Sequence, residues 1–282
     1  MAKIKTSFSG HDKFDCKIDW ITKGLEAYKK DNSIFSNIEK AIGQLGLGSN
    51  MIKSLRHWMK VLDLIDDEEL TLLGNTILDN DLYLENIDTL WILHWNLVKY
   101  EENSTLYHLF FNKIYPHKFS KTELINHITL WLKENCINIS LTTLKSDIDV
   151  FIRMYNNNQI DNHSMSLLSE LNIITKLSQS NYSLNINAVS DISDEVFLYI
   201  LSDYIKIKHV KDVVSISIDD IQLGKLSIQK SLCMSEHTLY NKLNRLSKLT
   251  DNRFRYSETA GIRQIYITKM IDKSDILNKI YK

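Results

Sequence analysis

The segment Ser7 to Asp15 reads SFSGHDKFD and sets an imidazole, a carboxylate and an ammonium side by side at His11, Asp12 and Lys13. Groups of that kind can pass protons or hold a phosphate. One His with one Asp in a polar loop also arises without any chemistry, so His11 is a weak catalytic candidate and the only one. His94 lies between Trp91 and Trp95 on an apolar stretch, where a hydrogen-bonded core histidine is the expectation. Asp147 and Asp149, two positions apart on a helix, point about 200° apart and cannot chelate one ion; Lys145 with Asp149 is expected to form an i,i+4 ion pair instead. Cys16, Cys136 and Cys233 are odd in number, scattered and without a CxxC, which indicates neither a disulfide framework nor a cysteine zinc site. No Gly-rich phosphate loop, HExxH or nucleophile elbow occurs. The expectation is no metal, no cofactor and no catalysis, with a hydrolase or nuclease centred on His11 as the third reading.

Binding chemistry is better represented. Asn50, Lys53, Ser54, Arg56 and His57 fall on the polar face of one helical segment. His237, Thr238, Asn241, Lys242, Arg245 and Lys248 fall on or beside the polar face of another, which Arg253, Arg255 and Arg263 follow. These side chains can bond to phosphates and base edges, and they form the candidate DNA-binding set. Asp66, Asp67, Glu68 and Glu69 form an acidic run that would repel phosphate and could dock a basic partner.

The net charge of −1 hides segregation: residues 1–60 hold eleven Lys/Arg against six Asp/Glu, residues 61–102 one against eleven, and residues 230–282 eleven against five. The ends are basic and the middle of the first half is acidic, so a protein that coats nucleic acid indiscriminately is disfavoured.

The elements that would carry these residues read as a mainly α chain of tandem winged helix-turn-helix units with short β-hairpin wings. In the first unit, a helix from about Asp19 to Lys30 is followed by a helix capped by Ser33 and ending at Gly46, then a third from Asn50 with Ser49 as its cap. Met51, Leu55, Trp58 and Leu62 keep a helical period inward, and the acidic run closes a hairpin. Asp88 is expected to cap a buried helix, DTLWILHWNLVKY. A second unit begins after Pro116 with the capping box Ser120 to Glu123, a helix capped by Ser140, and a hairpin of residues 173–177 and 182–186. A third has helices capped by Ser193 and starting at Met234-Ser235, then the hairpin RFRYSETAGIRQIYI turning at Ser257 to Gly261. The expected domains are 1–115, 116–190 and 191–282.

With 282 residues, 44% of them hydrophobic, the chain can bury a substantial core as a globular protein. Its start lacks the apolar run of a signal peptide, and Leu90 to Val98 is too short to span a bilayer. A cytoplasmic protein without a membrane partner is expected.

Read together, the motifs resemble the uncharacterised bacterial family known as domain of unknown function 4007, DUF4007. The carriers include Ser9-Gly10-His11 with Phe14, Trp20 with Lys23-Gly24, Leu45-Gly46 with Gly48, Ser54 with Arg56 and Trp58, Thr89-Leu90-Trp91 with His94-Trp95, Asp147 with Asp149 and Arg153, and Glu258 to Gly261 with Arg263-Gln264. Tyr107 stands where the family typically has Trp. Such proteins are encoded in DNA phosphorothioation and phage-defence clusters. The resemblance implies a role in a bacterial DNA-modification or phage-defence system; joined to the winged-helix reading of the residues, the expected function is a non-catalytic DNA-binding or regulatory component of such a system. Its partners would be double-stranded DNA, plain or phosphorothioated, and a protein of the same system. The alternative is an adaptor that docks a basic partner, such as a modification enzyme, through residues 61–102.

Overall fold

The computed structural model describes residues 5–67, 69–156, 165–189, 192–208 and 215–282. They form two compact units, Met1–Asn185 and Ile186–Lys282. Helix dominates and the strands make small antiparallel sheets, a mixed α/β architecture.

The first unit opens with α1 (Ile18–Lys30), which buries Ile21, Leu25 and Tyr28. The single helix expected from Ser33 is broken. A 3-10 turn at Ile34–Ser36 precedes α2 (Ile38–Leu45), because Asn37 is extended and its side chain accepts the Lys40 N–H at 3.0 Å as a new cap. Gly46 ends α2 in the left-handed region at φ 64, where a side chain would be strained. α3 (Ser49–Val61) has Gly48, not Ser49, as its N-cap. The hairpin of β1 (Ile65–Asp66) and β2 (Glu69–Leu70) pairs Asp66 with Glu69. α4 (Leu72–Asn80) follows, and α5 (Ile87–Lys99) is capped by Asn86 rather than Asp88 and buries every residue from Thr89 to Lys99.

α6 (Thr105–Leu109) runs into a π-turn at Phe110–Ile114. β3 (Lys118–Ser120) leads to α7 (Lys121–Glu134), opened by the expected Ser120/Glu123 capping box, and to α8 (Leu141–Tyr155), capped by Ser140. β4 (Ile174–Lys176) and β5 (Asn181–Leu184) complete a sheet of order β3-β5-β4. Residues 116–185 share one aromatic core with those before them: Phe110 lies 4.7 Å from Phe151 and 5.0 Å from Phe119, and Phe111 lies 5.5 Å from Tyr155, ring centre to ring centre. Continuous aromatic packing of this kind leaves no seam at residue 115.

In the second unit α9 (Asp194–Ile207), capped by Ser193, buries Val196 through Ile205. β6 (Ser215–Ser217), α10 (Ile218–Leu223), α11 (Ile228–Ser231) and α12 (Glu236–Leu249) follow, the last capped by Ser235. β7 (Phe254–Thr259) and β8 (Ile262–Ile267) turn on Ala260 and Gly261 alone, both with positive φ, a tighter turn than the sequence suggests. The sheet order is β6-β8-β7, with the central strand last in sequence, as in the first unit's three-stranded sheet. α13 (Lys273–Ile280) ends the chain's regular structure. Among the described residues no helix is long and apolar enough to cross a membrane.

Candidate functional site

The segment Ser7 to Lys17 is a strap held by groups from far along the chain. Ser9, Asp12 and Lys13 adopt positive φ of 54°, 48° and 71°, so the strap stores strain that its anchors must offset. The Ser9 N–H donates to both oxygens of Asp147, at 3.1 and 3.0 Å, and His11 Nε2 lies 3.4 Å from Asp147 Oδ1. The His11 ring, 5% exposed, stacks on Trp58 at 5.6 Å with the planes 8° apart. Trp58 Nε1–H in turn donates to the Phe14 carbonyl at 3.0 Å. Gly10 lies against the His57 ring, where an added Cβ would come within 2.5 Å of Cε1; only glycine lets the strap settle there. Burial, and then the electrostatic effect of the neighbouring His11, lower the His57 pKa to about 4.

Below this, Asp15 accepts from Arg153 Nε at 2.9 Å, from Ser166 Oγ at 2.6 Å, and pairs with Lys17 at 2.7 Å. Burial alone would raise its pKa, but the bonds from Lys17, Ser166 and Arg153 outweigh it and hold the carboxyl below its ordinary value. Arg153 also donates to the Lys13 carbonyl at 2.8 Å. The Tyr107 hydroxyl is pushed well above the usual phenol range by burial and by the nearby carboxylates of Asp147 and Asp15.

The trio His11, Asp12 and Lys13 is not assembled: Asp12 and Lys13 are exposed while His11 is buried, and its acidic neighbour is Asp147. Asp149 pairs with Lys121 of α7 at 2.6 Å instead of with Lys145, one turn back on its own helix. His94 is wholly buried, with Nδ1 2.8 Å from the Tyr155 hydroxyl, the structural role expected of it.

The α3 face is much reduced as a DNA-contact candidate. Asn50 and Lys53 are exposed, but Ser54 is fully buried with its hydroxyl 3.5 Å from the Phe14 carbonyl, and Arg56 and His57 are half-buried. The strap covers this side of α3. In the acidic hairpin Asp66, Asp67 and Glu69 are exposed, and Asp67 pairs with Lys60 at 3.2 Å. Glu68 lies outside the described residues.

On α12, His237, Asn241, Arg245 and Lys248 are exposed, and Thr238 is half-buried with its backbone N–H on the Ser235 cap. Lys242 is a correction: it is 8% exposed, and its ammonium donates to the Ile192 carbonyl and to Asp194 at 2.6 Å, so it ties α12 to the start of α9. Arg245 approaches the same carboxylate at 3.4 Å.

The hairpin arginines do not line one side. The register pairs Arg255 with Tyr266 and Glu258 with Arg263, which puts Arg255 and Arg263 on opposite faces. Arg263 turns to α12, bonding the Tyr240 hydroxyl and Asp219, the latter at 2.9 Å. Arg255 is exposed over the Tyr266 ring at 5.9 Å, and Arg253 Nε–H donates to the Thr250 carbonyl at 3.0 Å. Lys248, Arg253 and Arg255 make no ion pair among the described residues. Asp194, Asp219 and the tyrosines were missed as partners because each is distant in sequence. No group of three or more His, Cys, Asp or Glu that could hold a metal ion occurs among the described residues.

Comparison with known proteins gives three findings. The family described as "Protein of unknown function (DUF4007)" matches residues 8–281. Two solved structures are similar in fold: "Magnesium ion-bound SspB crystal structure" (TM-score 0.83, 20% identity, covering 98% of this chain and 88% of that one) and "SspB crystal structure" (TM-score 0.79, 19% identity, 97% and 86%). No curated protein matches the chain.

Proposed function

The chain belongs to the DUF4007 family, and from that premise we propose that it is a non-catalytic component of a bacterial DNA-modification or phage-defence system that binds double-stranded DNA through its second unit. The observation that carries this reading is the outward stripe His237, Asn241, Arg245 and Lys248, spaced i, i+4, i+8 and i+11 on α12, beside a hairpin that bears Arg255. In this reading the order β6-α10-α11-α12-β7-β8, with sheet order β6-β8-β7, is a winged helix-turn-helix: α12 enters a major groove and β7–β8 is the wing. Arg245, Lys248 and Arg255 take phosphates, and Asn241, bonded to His237 at 3.0 Å, is the base-edge reader. The β3-β5-β4 sheet with α7 and α8 has the same order, but α8 is buried on most of its length and serves as scaffold. The family resemblance and the SspB-like fold support the phosphorothioation setting.

A second reading, the adaptor, has one observation in its favour. Asp66 and Glu69 sit directly opposite each other, exposed and without an ion pair among the described residues. Like charges so placed repel, and a basic protein would relieve them.

The test is fluorescence anisotropy of the full chain on plain and phosphorothioated duplexes, with metal chelated throughout. Binding that weakens on Asn241→Ala for some sequences and not others supports the proposal. Absence of duplex binding, with capture of a basic partner that Asp66→Lys/Glu69→Lys abolishes, overturns it in favour of the adaptor.

A further inference from the structure

A small cavity of about 10 Å³ lies beneath the strap, lined by Ser9, Gly10, His11, Trp58, Tyr107 and Asp147 among others. It has room for one water and nothing larger. Two of its lining groups are polar atoms without a partner: His11 Nδ1, in a ring 5% exposed, and the Tyr107 hydroxyl, in a side chain 4% exposed. Both rings pack on Trp58, His11 stacked at 5.6 Å and Tyr107 edge-on at 6.1 Å, and both residues line this cavity. Buried polar groups in folded proteins are nearly always satisfied, and a water-sized cavity lined by two such residues is the usual place for their partner.

We infer that this cavity is a binding site for a single water, which accepts a hydrogen bond from the Tyr107 hydroxyl and donates one to His11 Nδ1. The assignment does not rest on the DNA-binding proposal. The chemistry fixes its polarity. The high pKa of Tyr107 keeps the phenol protonated and therefore a donor. His11 Nε2 faces the Asp147 carboxylate at 3.4 Å, which favours the tautomer with its proton on Nε2 and leaves Nδ1 as a lone pair. A chain runs from Tyr107 through the water and His11 to Asp147, whose oxygens also hold the Ser9 N–H. The water thus links α6 to α8 through the Ser9-Gly10-His11 strap.

The test is NMR on the full chain above pH 7. Long-range nitrogen–proton correlations read the tautomer of His11 in the unmodified protein, and water-selective exchange-filtered NOEs read a long-lived water beside His11 and Trp58. The expected result is the Nε2–H tautomer, with Nδ1 shifted as a hydrogen-bond acceptor, and a water contact that Tyr107→Phe abolishes while the ring packing is kept. An Nδ1–H tautomer, no long-lived water, or a water contact untouched by Tyr107→Phe overturns the inference. Should Tyr107→Phe fail to fold, the tautomer and water contact of the unmodified protein decide the question alone.

Discussion

Replacing Asp147 by Asn tests whether the strap is a folding device. The carboxylate is 3% exposed and accepts the Ser9 N–H with both oxygens, at 3.1 and 3.0 Å, with His11 Nε2 at 3.4 Å. Asn keeps one acceptor and turns an amide NH2 toward either Ser9 N–H or His11 Nε2–H, donor against donor. A hydrogen bond to a charged acceptor contributes about 1.5 to 3 kcal/mol, and a buried donor left without an acceptor costs a similar amount. The strained φ values of Ser9, Asp12 and Lys13 then lose an anchor. We expect a loss of about 2 to 3 kcal/mol, and for a unit of this size each kcal/mol lowers Tm by roughly 2 to 4 °C. Calorimetry should therefore show the transition of the first unit lowered by about 5 to 10 °C, with helical circular dichroism unchanged at low temperature. A double-mutant cycle with His11→Ala should return a coupling of about 1 kcal/mol. An Asp147→Asn protein with unaltered Tm, or a His11→Ala protein that is stable but inactive in cells, would refute the reasoning and give the motif a chemical role.

Three further outcomes follow from the same geometry. Gly10→Ala forces the His57 ring away from the strap, since its Cβ would meet Cε1 at 2.5 Å; a loss of about 1 to 3 kcal/mol in urea unfolding is expected, with a change in tryptophan fluorescence from Trp58. Because the His57 pKa falls to about 4 on folding, the unfolded chain binds more protons between that value and its ordinary 6.5, so stability is full above about pH 6.5 and is lost as pH falls toward 4. The loss approaches about 3 kcal/mol, and His57→Gln should flatten this part of the pH–stability curve. Charge reversal at Asp66 and Glu69, both exposed, should leave Tm nearly unchanged, within about 0.5 kcal/mol. An unchanged pull-down of a basic partner after that reversal would remove the adaptor reading.

Features set by neighbouring residues were legible in the sequence. The capping box at Ser120, the caps Ser140 and Ser193 and the left-handed Gly46 depend on three or four residues each, and the burial of α5 on one largely apolar run. β3 and β6 were invisible, since three residues carry no period and their partners β5 and β8 lie far along the chain. The same distance hid Lys121 from Asp149 and Asp219 from Arg263. One signal was available and unused: Asp147 lies three residues after Leu144 and four before Phe151, on the buried stripe of α8. A carboxylate there must have a partner, and the only question was which segment would bring it. The answer, the Ser9-Gly10-His11 strap, buries Ser54 and half-covers His57, taking both from the reading face.

The central claim is that exposed cations of the second unit contact DNA phosphates, and the salt dependence of duplex affinity tests it most directly. Lys248 and Arg255 are exposed and make no ion pair among the described residues, so each is available for a phosphate. Each contact contributes about 0.9 to the slope of log affinity against log salt. The double variant Lys248→Ala/Arg255→Ala should therefore lower the slope by roughly 1.8 and weaken binding to the same extent on unrelated sequences, with Tm preserved. A double variant that binds duplex DNA with the affinity and salt slope of the unmodified chain would contradict the account.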